Sequence, residues 1–592
     1  MHIKIEDKLP ILVWNTRQRK LLALLLILFL MLTMVIGCAS PGSHDTQTDP
    51  VDDAEATAGR SAEDLDPDLL FHALAAERMG AAGDLEQALE HALSAAEISD
   101  NPDLARQAVS LAMQLEDWDA MEQAAARWLE LDSESSAAFQ LLVLSEVNSG
   151  QFERAARRLA DQVGRAADPA DGWREAALLL ASAAEASSAL TTMDAVVERL
   201  GPDESEQSLE SRSLLLWQLG RSDEALTLAR QAVEMEPTPG RLVWAAQLAA
   251  ANDDLDGALE YYRQARRLDP DDNDLALAEA EVLRLLERND EALDVLSAQP
   301  ADTGVLYTLG LYHVESGELE EARQVWTRLA SIEAPDDPLE HAYLTGFLAE
   351  LADLDSEALD WYQRVESGPN ANRALLHRAG LEGQQGNLME ARNLLRAVRL
   401  GDDADLIEQS WLTEADLLRE AERPAECVEL LTGVLRDRPE SIWLLYTRAI
   451  CAVDNDDLEL AEQDLRRIIQ IDGDNAMALN ALGYTLTDLT SRHNEALRLI
   501  ERALELEPED PAVLDSMGWV KFRLGQPEQA LGYLEDAFEL DENPEIGAHL
   551  AEVLWVLQRR DESRELIGRL LDQYPDDRLL RDTRDRLESA SE

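Results

Sequence analysis

The sequence predicts an all-α solenoid, in which helical hairpins stack one on the next along most of the 592 residues. Three observations predict it. The stretch from Asn475 to Pro544 states one pattern twice. Small residues then recur at a period of roughly 34 over most of the chain. Composition also favours helix, being rich in Ala, Leu, Glu, Arg and Gln and only 5% aromatic. A single hairpin cannot close a core, but 46% hydrophobic residues suffice for continuous burial between stacked ones.

In the first copy Leu479, Leu482, Gly483 and Leu486 mark one helix face, and Ala496, Ile500, Ala503 and Pro508 follow. The second copy reads Leu514, Met517 and Gly518, then Ala530, Leu534 and Ala537, with Lys521 where the first has Leu486. Antiparallel helices approach closely where small residues face each other, so Gly483 is expected against Ala496 and Gly518 against Ala530. The spacing resembles a tetratricopeptide repeat, and that resemblance implies a superhelix of roughly 11 to 15 helix pairs.

The chain opens with a basic flank, Lys4, Lys8, Arg17, Arg19 and Lys20, followed by the apolar run Leu21 to Ile36, interrupted only by Thr33. Such a run is short for a membrane-spanning helix and has the layout of an export signal. It ends in Val35-Ile36-Gly37-Cys38, which resembles the lipobox of bacterial lipoproteins. The resemblance implies a signal peptide over residues 1–37, cleaved before a Cys38 that carries diacylglycerol and an acylated amino group. Multiple acyl chains anchor durably, at roughly 0.8 kcal/mol per buried CH2. Ala39 and Ser40 follow, without the Asp that in enteric bacteria retains lipoproteins at the inner membrane. The implied location is therefore the periplasmic face of a Gram-negative outer membrane. Residues 38–64 are mainly Pro, Gly, Ser, Thr, Asp and Ala with Val51 the only large apolar residue, and read as a lipidated flexible tether with a reach on the order of 30 Å.

Residues 65–592 are assigned to the repeats. Aligning on the small residue of each second helix gives Ala88, Ala120, Ala155, Ala189, Ala225, Ala258, Ala292, Ala322, Ala358, Ala391, Cys427, Ala461, Ala496, Ala530 and Ser563, in steps of 30 to 36. Breaks such as Ser149-Gly150, Asn252-Asp253-Asp254, Gly386-Asn387 and Asp454 to Asp457 precede these positions, and their Asp, Asn and Ser suit the capping of a following helix. Pro237, Pro270, Pro439, Pro508 and Pro575 each stand twelve residues after a small residue, as helix stops. The pairs from Ala88 to Ala189 fit less well, with Arg127 where an apolar side chain is expected, so fifteen is the upper count. The charged Arg578 to Glu592 suits a solubilising end cap.

In solenoids of this kind the first helix of each pair lines the concave face. Its free side is expected to carry Asn480, Tyr484 and Thr487, then Asp515, Trp519 and Phe522, with Tyr446, Tyr343, Phe347 and Tyr307 in earlier pairs. An aromatic stripe on so acidic a chain marks a candidate protein-binding face, Tyr484 and Trp519 being suited by their polar tips to a half-wet site. The competing arrangement buries these rings between neighbouring first helices.

A formal charge of −67 excludes a protein that tracks nucleic-acid phosphates, which needs a basic stripe. The nine His residues show no metal-ligating spacing, no glycine loop suits a phosphate, and carboxylates are too common to point to a catalytic pair. No catalytic residue, cofactor, metal or small-molecule substrate is therefore expected. Cys427 and Cys451 read most simply as small buried hydrophobes, although export permits a disulfide between them.

Lipobox, polar tether and chain-long repeats together resemble the outer-membrane lipoprotein adaptors of periplasmic carboxyl-terminal processing proteases, in particular the large acidic pseudomonad type. The segments Leu479-Asn-Ala-Leu-Gly-Tyr-Thr-Leu and Leu514-Asp-Ser-Met-Gly-Trp-Val carry that likeness. It implies a non-enzymatic adaptor that binds such a protease and delivers cell-envelope proteins, peptidoglycan hydrolases among them. An assembly lipoprotein for pilus or exopolysaccharide export would need the same anchor and scaffold.

Overall fold

The structure is a computed structural model that describes residues 66–201 and 205–589. The signal segment, Cys38 and the tether lie outside the described residues. Among the described residues there are 31 helices and no strand: fifteen helix pairs followed by one terminal helix, Arg578–Ser589. The fold class is the one expected, an all-α tetratricopeptide solenoid, and the upper count of pairs is the one found. The chain divides between Tyr312 and His313 into two compact units. Within each, hairpins pack first helix on second, and second helix on the next first.

The hairpin corner is built locally. In pair 1 the first helix ends at Ala82, Gly83 takes the left-handed conformation with φ +83°, and Asp84 caps the second helix by accepting from the Gln87 amide at 3.3 Å. Thirteen of the fifteen corners turn through such a residue: Gly83, Gly150, Gly220, Gly317, Gly386 and Gly525 where glycine is present, and Glu116, Asp253, Glu287, Asp353, Glu422, Asp456 and Gln558 where it is not. Asp254 and Asp457 cap the helices after their corners, as the turn sequences suggested, whereas the helices after Ser149-Gly150 and Gly386-Asn387 begin without a side-chain cap. Helices end at Met235, Leu268, Leu506 and Gln573, two residues short of Pro237, Pro270, Pro508 and Pro575, whereas the helix before Pro439 already ends at Val434.

The corner also corrects the alignment of pair 2. The Met121 amide bonds to the Asp117 carbonyl at 2.9 Å just as the Ala88 amide bonds to Asp84 at 3.0 Å, so Met121, not Ala120, holds the small-residue place. Shifting by one puts Trp128, which is buried, where Arg127 had looked anomalous. Arg127 instead crosses to the previous pair, donating to the carbonyls of Ala96 and Ser99. The other fourteen aligned positions are fully buried.

Close approach occurs where glycine was read to require it, with one refinement. A Cβ on Gly483 would lie 2.4 Å from Ile500 Cγ1 and 3.3 Å from the Ala496 carbonyl, and one on Gly518 would lie 2.5 Å from Leu534 Cγ and 3.2 Å from the Ala530 carbonyl. The space glycine vacates is filled first by the large residue one turn beyond the small one.

Cys427 and Cys451 form a disulfide, with Cα atoms 6.0 Å apart. This overturns their reading as unlinked hydrophobes. The bond joins the second helix of pair 11 (Pro424–Val434) to the first of pair 12 (Ile442–Asp454), inside a core shared with Leu431, Leu465 and Leu482. Spacing alone could not bring the two thiols to one place; the hairpin stacking does. The terminal helix buries Leu580, Thr583 and Leu587 against pair 15, closing the apolar edge of the last hairpin.

A candidate protein-binding face on the first helices

The expected stripe runs along the first helices of pairs 13, 14 and 15, Ala476–Leu489, Pro511–Arg523 and Pro544–Val556. Side chains three and four residues apart share a helix face, which is how Asn480 and Tyr484, or Asp515, Trp519 and Phe522, come to stand in line. The small residues Gly483 and Gly518 on the neighbouring face let each first helix settle onto its own second helix. The stripe is thereby left to face the adjacent repeats.

Three of the expected free side chains are corrected, the first being Thr487, which is fully buried with its hydroxyl donating to the Gly483 carbonyl at 2.8 Å. Asp515 is 5% and Trp519 6% exposed. His549, from the next first helix, lies 2.9 and 3.0 Å from the two Asp515 oxygens and stacks on Trp519 with ring centres 4.1 Å apart. The Trp519 indole N–H donates to Asp488 of the preceding first helix at 3.4 Å. Both residues join repeats, and their polar atoms are satisfied within the protein.

Tyr484 stays half-buried, and its hydroxyl donates to Glu545 at 2.6 Å, spanning from pair 13 to pair 15. Burial pushes this phenol well above its ordinary value, with the Glu545 charge and hydrogen bond adding to the rise. His549 is shifted the other way from what burial alone would do. Desolvation opposes its charge, but Asp515, through charge and hydrogen bond, and Glu545 and Glu552 more weakly, raise its pKa above 6.5. Asn480 donates to the Ala512 carbonyl at 3.4 Å, while its own amide oxygen is buried without a hydrogen bond. Phe522 is half-buried against Trp519, ring centres 5.3 Å apart.

The earlier members of the stripe are half-buried too. Tyr343 stacks on Phe347 at 6.2 Å, and His377 from the next first helix meets Phe347 at 5.2 Å and Tyr362 at 5.3 Å. Glu350 ties that cluster together, accepting from the Tyr362 hydroxyl at 2.6 Å and lying 3.0 Å from His377. Burial raises the Tyr343 and Tyr446 phenols. Tyr446 leans on the core of pairs 11 to 14, and Tyr307 is half-buried in pair 8. The arrangement offers fixed, partly exposed rings with polar tips, a surface suited to protein contact.

Buried arginine–carboxylate pairs were missed in the sequence. Glu279 is met by Arg263 at 3.0 Å and Arg266 at 2.6 Å, Glu414 by Arg392 and Arg399, each at 2.7 Å, Asp464 by Arg448 at 2.7 Å and Glu146 by Arg158 at 2.9 Å. A signal was present: Glu279, Glu414 and Arg448 stand in the column where other pairs carry Leu142, Leu309, Met517 and Leu550. A charge in an apolar column requires a partner. Lys521, the only lysine among the described residues, has a largely covered side chain with Nζ 4.0 Å from Glu501.

Two tetratricopeptide-repeat families match the sequence, one over residues 211–272 and again over 244–305, the other over residues 521–587. The chain thus carries tetratricopeptide repeats in both compact units. It is 40% identical over 207 residues to the TPR repeat-containing protein PA4667 of Pseudomonas aeruginosa, an alignment covering 35% of this chain and 35% of that protein. The chain therefore spans about a third of the length of the curated relative it matches. Among solved structures, the thermophilic TPR protein TTC0263 of Thermus thermophilus is 23% identical with a TM-score of 0.28, over 31% of this chain and 98% of that one. Yeast Tom70 is 12% identical with a TM-score of 0.38, over 87% of this chain and 99% of that one.

Proposed function

We propose that this tetratricopeptide-repeat protein is a binding scaffold held by lipid on Cys38 at the periplasmic face of an outer membrane. Its partner on this reading is a carboxyl-terminal processing protease, to which it brings cell-envelope proteins such as peptidoglycan hydrolases. The observation that carries the scaffold is the ladder of half-buried rings on successive first helices, held rigid by bonds such as Tyr484 to Glu545 that cross from repeat to repeat. Rigid aromatic surface loses little entropy on binding.

One further observation supports the envelope setting. A disulfide between Cys427 and Cys451 fits an oxidising compartment. The relative in Pseudomonas aeruginosa supports the repeat scaffold alone. Holding enzyme and substrate on one scaffold raises their effective concentration and needs no chemistry from the scaffold itself.

The test is crosslinking in intact cells followed by affinity capture of the solubilised lipoprotein. The expected result is a periplasmic serine protease recovered with its substrates, and loss of those substrates' turnover when the scaffold is deleted. Recovery of pilus or polysaccharide-export components in place of a protease would overturn the adaptor reading. Mass spectrometry of the mature amino terminus tests the anchor separately, since an unmodified Cys38 would remove it.

A further inference from the structure

The first helix of pair 1, Pro67–Ala82, packs on its own second helix, Leu85–Ile98, and no described helix precedes it. Positions 70, 74, 78 and 81 share the side of that helix away from Ala76, which is 2% exposed. On that side Leu70, Phe71 and Leu74 are 47%, 61% and 56% exposed. Phe71 is not a loose side chain: its ring meets His72 and His91 edge-on, at 5.2 and 5.6 Å between centres. The result is a fixed apolar ridge on the outermost helix of the described solenoid.

The ridge covers a few hundred Å2, well below the roughly 800 Å2 per partner of a stable protein interface. A patch of that size retains only what something else keeps close. The chain enters this helix from residues 39–64, which on the reading given above form a tether from lipidated Cys38, and this inference rests on that reading. A tether of about 26 residues keeps the ridge within on the order of 30 Å of the headgroups, where a weak apolar surface partitions effectively.

The geometry points to the lipid bilayer as the surface this ridge meets, so that the first helix lies on the membrane and the solenoid is held there by its end as well as by its anchor. Asp66, Asp68 and Glu77 flank the ridge against Arg78 alone, so zwitterionic headgroups suit it and anionic ones oppose it.

The test uses the mature lipidated protein in phosphatidylcholine vesicles that carry nitroxide-labelled acyl chains. Ala81→Cys supplies one accessible thiol for an environment-sensitive dye, because Cys427 and Cys451 are bonded to each other and Cys38 is acylated on the reading above. Docking predicts at least twofold quenching of that dye by the nitroxide lipid. Recovery of the emission is expected when Leu70, Phe71 and Leu74 are all changed to Ser, with unchanged helicity because these side chains are exposed, and also when a third of the lipid is made anionic. A chain that floats with the vesicles but whose dye ignores the nitroxide, or is quenched equally in the triple variant, overturns the docking and leaves the anchor standing. A chain that does not float at all overturns both.

Discussion

Gly518 and Gly532 are both helical glycines in pair 14, yet opposite outcomes are expected of them. A methyl on Gly518 would meet Leu534 at 2.5 Å, while one on Gly532 meets nothing within 4 Å. Gly518→Ala should therefore destabilise by about 1 to 3 kcal/mol through overpacking, and Gly532→Ala should stabilise by up to about 1 kcal/mol through helix propensity. Chemical denaturation of the two variants compares them. The same distinction separates the aromatic residues. Trp519→Ala empties a packed site and is expected to lower stability by about 3 kcal/mol or more. Tyr484→Ala should leave helicity intact and weaken capture of the partner about tenfold, as loss of one ring at a binding face does. If Tyr484→Ala melts the C-terminal repeats instead, that ring belongs to the core.

His549 gives these repeats a pH dependence whose sign follows from its raised pKa. The folded chain holds the imidazole proton to higher pH than the unfolded chain. The stabilisation is complete below the ordinary value of 6.5 and is lost as pH rises through the higher folded value. Hydrogen exchange in Pro511–Val556 should speed up across that window beyond its intrinsic pH trend, and Asp515→Asn should flatten the dependence. At this scale the sequence was legible where a residue type has one physical use. Gly483 and Gly518 were read correctly because only glycine permits the approach. Trp519 and Asp515 were not, because helix spacing fixes which side a residue takes and says nothing of what the next repeat places there.

At the scale of the hairpin, the corners explain why local sequence was so informative. A left-handed residue, in four corners a capping Asp, and the first buried small residue of the next helix are set within a few residues of one another, so most breaks were readable without knowing the fold. The exceptions are physical. In pair 2 the small-residue place is held by Met121, and the alanine beside it, Ala120, drew the alignment one residue off. The disulfide is non-local and was legible only as a possibility. Closing a loop across 24 residues should contribute about 3 kcal/mol if unfolded-state entropy dominates. Replacing Cys427 and Cys451 together with Ala should accordingly raise exchange in pairs 11 and 12, with smaller changes in distant pairs, because repeat arrays transmit stability mainly between neighbours. Uniform loosening of the whole chain would show a more cooperative molecule than the nearest-neighbour picture allows.

Across the whole molecule the dominant quantity is charge. A formal −67 over 592 residues produces self-repulsion that salt screens, while the buried pairs Glu279 with Arg266 and Glu414 with Arg399 are shielded from it. Stability should rise as sodium chloride is increased from about 20 mM, where the Debye length is on the order of 20 Å, to 500 mM, where it is about 4 Å. A midpoint that falls with salt would mean that surface ion pairs outweigh the net repulsion. The fold class and the period were legible at this scale because repetition averages out local errors, while the number of pairs was legible only as a range that ended at fifteen. The partner was not, since a binding face consists of side chains chosen by another molecule.

Lys521 gives the experimenter something unplanned. It is the only lysine after Lys20, and it sits mid-helix with its side chain mostly covered. An endoproteinase that cuts after lysine would find one peptide bond in everything beyond Lys20, and that bond is hidden until pair 14 opens. Two fragments on a gel, timed, would thus clock the fraying of one repeat in an otherwise uncut protein. Amine-coupling reagents, by the same token, would leave nearly all of its surface unmarked.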